Sequence, residues 1–279
     1  MPNYPLIFIS LFLLCTHITT VSALEPPLAT QNINALSGRD ILDQVSERHD
    51  QVYEFEIQDM TLVDKAGNKE QREMHRYKRD LGAGSSRYVS IFLAPSGIKG
   101  VSLLTWKHAD RDDDQWMFLP AYGKKMKRIA KGGRKNYFMG TDYTFEDLAA
   151  EEKEKFSYQR LADDQQNGIA LFVVKSTAID KISKKQTAYA FRKLWISQDT
   201  FLVARVDFFD RRERLMKRQI NLEPVQIKGD LWRHNRIEME HFQNRHKTIT
   251  IVRSRRFDSD AVPEKAFKER SIINGLLTR

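Results

Sequence analysis

From Tyr53 onward, apolar and polar residues alternate along the chain with a period of two. Tyr53, Phe55 and Ile57 are separated by Glu54, Glu56 and Gln58, as in a strand with one buried face. Asp64-Lys65-Ala66-Gly67-Asn68 then supplies a hairpin turn. Further strands are predicted over 101–106, 116–119, 170–174, 189–196 and 201–208, and near 217–227, 232–242 and 248–257. Leu202, Ala204, Val206 and Phe208 oppose Val203, Arg205 and Asp207; Ile249 and Ile251 sit between Thr248 and Thr250. A helix precedes the strands: Ser37 caps it, Asp40 lies in its first turn, and Ile41, Leu42 and Val45 share one face up to about His49. A shorter one, with Pro263 at its first position, includes Ala266 and Phe267. Roughly ten strands with short turns predict a mainly β fold, an antiparallel meander in one domain.

The N-terminus has another pattern. Leu6 to Leu14 is an apolar run that ends in small residues at Val21-Ser22-Ala23, which predicts a secretory signal peptide over 1–23, cleaved near Ala23. The run is shorter than the ~20 apolar residues of a spanning helix. Leu14 precedes Cys15 where acylation would want a small residue, so the mature chain is expected to be soluble and free of cysteine. Residues 24–36 read as a flexible mature N-terminus and 37–279 as the folded domain.

Export changes the meaning of the charge. The net +9 is carried entirely by residues beyond the leader. Outside the cytoplasm such a surface meets phospholipid head groups or acidic proteins, not nucleic acid. Catalytic and metal patterns do not form. Asp110-Arg111-Asp112-Asp113-Asp114 lacks the glycine and glutamate of a calcium loop and reads as a solvated turn. The histidines lack zinc-protease spacing and read as surface residues, and Gly82-Ala83-Gly84-Ser85-Ser86 is a flexible turn. No enzyme, cofactor or metal is expected.

Residues 116–148 stand apart. Trp116-Met117-Phe118-Leu119-Pro120 ends a strand, seven basic residues follow between Lys124 and Lys135, and Phe138-Met139-Gly140-Thr141-Asp142-Tyr143-Thr144-Phe145-Glu146-Asp147-Leu148 comes next. The basic run reads either as a solvated loop or as cationic heads beside an apolar hollow, suited to an anionic amphiphile. On these motifs the chain resembles the outer-membrane lipoprotein-sorting protein family, the LolA-like periplasmic carriers, in its subgroup associated with RND-type transporters. The resemblance implies an incomplete, half-open antiparallel β-barrel with a leading helix and short helices or loops as lid. It also implies a periplasmic monomer that shelters acyl chains and passes lipid, lipoprotein or another envelope amphiphile between membrane components. An RND-type inner-membrane transporter and an outer-membrane acceptor would be its partners.

Within such a hollow the expected wall is Phe55, Ile57, Val89, Ile91, Trp116, Phe118, Val173 and Trp195. Phe138, Tyr143, Phe145 and Leu148 are its expected rim or lid. Lys124, Lys125, Lys127 and Arg128 would meet a head group or a partner. The period fixes alternation but not which face is inside, because a one-residue slip reverses every side chain. The competing reading is a periplasmic sensor or adaptor that docks on a transporter and carries nothing.

Overall fold

The computed structural model describes residues 33–278; the expected signal peptide and most of the expected flexible segment fall outside these residues. Helix α1 (Gly38–His49) begins at Ser37, whose hydroxyl accepts from the Asp40 amide while Asp40 accepts from the Ser37 amide. This reciprocal pair satisfies two of the orphan donors of the first turn. A side chain at Gly38 would run into the Tyr158 carbonyl at 2.6 Å, so the bare α-carbon lets the helix start against the neighbouring strand.

The strands in chain order are β1 (Tyr53–Val63), β2 (Lys69–Gly82), β3 (Ser85–Ala94), β4 (Ser102–Lys107), β5 (Asp114–Phe118), β6 (Met126–Arg128), β7 (Phe156–Arg160), β8 (Asp164–Gln166) and β9 (Ile169–Ala178). Helix α2 (Lys181–Gln186) separates these from β10 (Phe191–Ser197), β11 (Val203–Phe209), β12 (Leu215–Lys228), β13 (Leu231–His241) and β14 (His246–Arg256). Among the described residues all fourteen join one antiparallel sheet ordered β6-β5-β4-β3-β2-β1-β14-β13-β12-β11-β10-β9-β7, with β8 on β9. The strands β6 and β7 do not meet, so the barrel stays open. The trailing element is a 3-10 turn, Glu264–Phe267, followed by α3 (Glu269–Ile273). Pro263 caps that turn; it does not begin an α-helix as expected.

The two faces of the sheet have different covers. On one face, α1 packs Ile41 and Leu42 against Phe172, Val174 and Ile196. The segment 137–148 lies on that same face, over Met60, Met74, Phe92 and Leu103. On the back face, the C-terminal Val262, Ala266, Phe267 and Ile272 pack on Tyr77, Val89, Ile91 and Leu104. The sheet core is thus two apolar layers, one on each side of β1–β5.

Candidate functional site

Residues 137–148 fold into a tight excursion that forms a lid. Tyr137 bridges Thr144, the Phe138 amide donates to the Tyr143 carbonyl, and the Thr141 amide donates back to Phe138. Met139 and Gly140 supply the turn with φ of 49° and 75°, a region glycine enters without strain. Phe138 is then aimed at the sheet, where it stacks on Phe92 at 5.4 Å and meets the edge of Phe145 at 5.8 Å. Tyr143 faces the other half of the sheet, beside Tyr189, Val206, Phe208 and Met239, and Leu148 touches both groups. One short segment therefore spans both halves of the lidded face.

Polar groups latch it down. Lys217, on β12, is 0 % exposed. Its ammonium donates to the Asp142 carbonyl at 2.8 Å and to the Asp147 carboxylate. The rings of Phe208, Tyr189 and Tyr137 surround it at 4.9, 5.3 and 5.5 Å, a cage that favours a desolvated cation. The Asp142 carboxylate accepts from Thr248 at 2.7 Å and lies 2.8 Å from His246. Tyr189 donates to Asp147, and the Tyr137 hydroxyl bonds the His241 ring at 2.8 Å. Lys217 was not legible from the strand pattern. The available signal is the three carboxylates Asp142, Glu146 and Asp147 among the aromatic residues of the motif, since buried carboxylates need cationic partners.

His49 and His241 correct the expectation of surface histidines: both are buried. Burial pushes the imidazole pKa of His49, His234 and His241 down, and it pushes the Tyr137 hydroxyl up to about 12. With folded pKa values below the unfolded value of about 6.5, the unfolded chain binds more protons as the pH drops. Stability from these groups is whole above that value and is lost as pH falls through the folded pKa. The thermal midpoint is expected to fall between about pH 7 and pH 5, and His241→Gln to flatten part of that slope. A midpoint that stays level across this range in the native protein would mean that the imidazoles are not desolvated.

The expected wall lies elsewhere. Phe55, Val89 and Trp116 fall in one cross-strand row with Tyr77 and Leu104; Ile57, Ile91 and Phe118 fall in the next. These rows face the back of the sheet, where the C-terminal segment packs with Phe55, Val89, Ile91, Trp116 and Phe118. Val173 and Trp195 also sit on the back face, with Leu171 and Ala204. Wall and lid therefore occupy opposite faces. In the apolar phase of β1, Tyr53 and Phe55 are half-buried against the chain's own C-terminal segment. The lidded face carries Glu54, Glu56 and Gln58 instead.

Those polar residues form a network at the centre of the lidded face. Arg233 holds Glu54 through two bonds of 2.7 and 2.9 Å, and Arg255 donates to Glu56 at 2.6 Å. Burial raises the Glu54 pKa, but Arg233 outweighs it and the net shift is downward. Beside this centre a mouth of about 1010 Å³ opens, with Leu42, Val45 and Tyr88 among a lining that is mostly charged and includes Lys78, Lys107, Asp43, Asp50, Glu151 and Glu152. A second groove of about 670 Å³ lies on the back face, with Leu171, Leu202, Ala204, Ile220 and Leu222 in its lining.

Lys124, Lys125, Lys127 and Arg128 are exposed at the β5–β6 edge of the sheet. Lysines on an edge strand also discourage pairing with another chain. Part of the basic run is neutralised by the acidic turn: Arg128 pairs with Asp114 and Lys131 with Asp112. Asp113 and Asp114 are buried, so that turn is not simply solvated. Lys127 lies 5.1 Å over the Tyr122 ring. Among the described residues Lys124 and Lys125 carry no ion pair.

Solved structures share this architecture. The chain is similar to an outer membrane lipoprotein-sorting protein domain from Vibrio parahaemolyticus, with 25% identity and a TM-score of 0.78 over 85% of this chain and 98% of that one. It is similar to a DUF1329 family protein from Desulfovibrio piger (21%, TM-score 0.77, 84% and 97% covered). It also resembles a LolA superfamily protein from Nitrosomonas europaea (18%, TM-score 0.65, 84% and 98% covered). A family model described as "Uncharacterized protein" matches residues 84–274. The chain belongs to the family that this model describes. No curated protein matches it. The match over 84–274 takes in the lid, both cage tyrosines and Lys217.

Proposed function

We propose that this LolA-like protein is a periplasmic carrier that shelters the acyl chains of a lipid or lipoprotein and hands them between membrane components. The observation that carries the reading is the bridged face: a lid held at both halves of an open sheet, with a mouth of about 1010 Å³ beside α1. An acyl chain moved exposed through water costs about 0.8 kcal/mol per methylene, and a protein hollow offsets that without any chemistry. In this reading residues 1–23 export the chain, 24–36 are the flexible start of the mature protein, 37–279 form one monomeric domain, and an RND-type transporter and an outer-membrane acceptor flank the transfer. Binding, not catalysis, is the activity. Lipid mass spectrometry on protein purified from periplasm without detergent tests it. A stoichiometric lipid absent from a control protein is expected; an empty protein that also refuses a fluorescent acyl probe would refute it.

A second reading rests on the polar network that fills the centre of the lidded face. It makes the domain a docking adaptor that regulates a membrane transporter and carries no cargo. Reversing Lys124, Lys125 and Lys127 to Glu, with Arg128 left on Asp114, separates the two. Docking predicts loss of transporter capture with lipid content unchanged. Head-group recognition at the sheet edge predicts loss of lipid content.

A further inference from the structure

The back-face groove of about 670 Å³ exists because β11 and β12 separate. Their ladder runs from Phe209 opposite Leu215 to Arg205 opposite Ile220 and stops there, while β12 continues on β13 as far as Lys228. The first carbonyl of β11, Val203, is met by side chains in place of a strand. Asn221 donates to it at 2.7 Å, and one His234 nitrogen lies 3.1 Å away; the other His234 nitrogen lies 3.2 Å from the Leu222 carbonyl. Leu171, Leu202, Ala204, Ile220, Leu222 and Trp232 line the wedge so opened. Leu171 and Ala204 pack with Trp195 beneath it. Ile169, Ile220 and Leu222 stay exposed along it, where a solvated sheet face would carry polar residues.

Size, charge and edge chemistry select the occupant. The volume falls in the range of roughly 300–1,000 Å³ that small-molecule sites have. The four charged residues of the lining cancel, Arg205 and Arg218 against Asp199 and Glu223, and both arginines are already forked onto Asp207. The lining therefore has no spare positive charge for an ionised head. The free edge of β12 is a poor template for an added strand, because Glu223 has a φ of 54° and Pro224 has no N–H. An uncharged hydrocarbon fits all three. We propose that the wedge between β11 and β12 is a second binding site, on the back face, for the hydrocarbon chain of a neutral amphiphile.

The site goes beyond the carrier reading and is independent of it, since the lid takes no part. Trp232 lines the groove, whereas Trp106 and Trp116 lie in the other half of the back face, against the C-terminal segment. Dibromostearoyl glycerol, whose bromines quench indole fluorescence on contact, is titrated against the full-length mature protein and its variants. Saturable quenching is expected; Trp232→Phe should reduce it and Trp116→Phe should leave it unchanged. Leu222→Glu and Ile169→Glu each place a charge in the groove and should weaken binding at least about tenfold. Both side chains are exposed and come from different strands, so these variants are expected to fold, and unaltered circular dichroism verifies this. Ionised dibromostearate should bind no tighter than the monoester. Binding that persists in Phe138→Ala supports the site whatever the fate of the carrier reading. No quenching, or quenching that both Glu variants leave intact, overturns the site. Binding lost only in Phe138→Ala moves the chain under the lid, which overturns the groove and leaves the carrier reading standing. Stearate held about tenfold tighter than the monoester overturns the assignment to a neutral chain.

Discussion

Lys217→Ala is expected to lower the unfolding free energy by about 3–5 kcal/mol, the range found when one partner of a buried ion pair is removed. The cost comes from Asp147 more than from the lost lysine. Its side chain is 3 % exposed, and without Lys217 it remains buried beside the Tyr189 ring with its direct ion-pair partner gone. The Asp142 carbonyl loses a donor as well. Because both acids lie in the lid, the variant should also open residues 137–148 to limited proteolysis well below its melting temperature. Urea unfolding gives the energy, and mass spectrometry of early cleavage products gives the location. The double variant Lys217→Met with Asp147→Leu removes both charges and should cost less than the two single variants added, by a coupling of about 1–3 kcal/mol. Recovery will be partial, since the Thr144 amide and the Tyr189 hydroxyl lose their acceptor. Strictly additive costs would mean that the pair does not hold the lid.

The contrast between Lys217 and Ser37 shows what the sequence can and cannot disclose. Ser37 and Asp40 are three residues apart, and their reciprocal bonds depend on local backbone alone, so α1 was readable to its end at His49. The turn at Asp64 is equally local: its carboxylate accepts from the Ala66 and Asn68 amides, and β1 and β2 end on either side. The strands near 217–227, 232–242 and 248–257 kept their predicted places, the last two on alternation such as Ile237 and Met239 or Ile249 and Ile251. The first half of β2 was hidden, since Lys69-Glu70-Gln71-Arg72-Glu73 has no apolar phase to reveal it. Lys217 looks like any charged strand residue, and its partners Asp142 and Asp147 lie 70 or more residues away. Such pairs form only when the lid closes on the sheet. The cover of Phe55 is equally distant in sequence, because the segment packed on it lies two hundred residues downstream.

That reversal of faces leads to a test on two phenylalanines. Phe138 and Phe118 are both buried, the first in the lid against Phe92 and the second on the back face under the C-terminal segment. Truncating either to alanine removes a ring from a packed layer and is expected to cost about 3–5 kcal/mol. Stability alone therefore does not distinguish them. Their effects on cargo should differ. Phe138→Ala loosens the cover of the lidded face, so a bound acyl probe is expected to leave at least about tenfold faster, since such changes act chiefly on dissociation. Phe118→Ala leaves that cover intact and should release the probe at the native rate. Stopped-flow transfer to acceptor vesicles, run well below both melting temperatures, measures the difference. If Phe118→Ala speeds release and Phe138→Ala does not, the acyl site lies on the back face and the lid is only a structural strap.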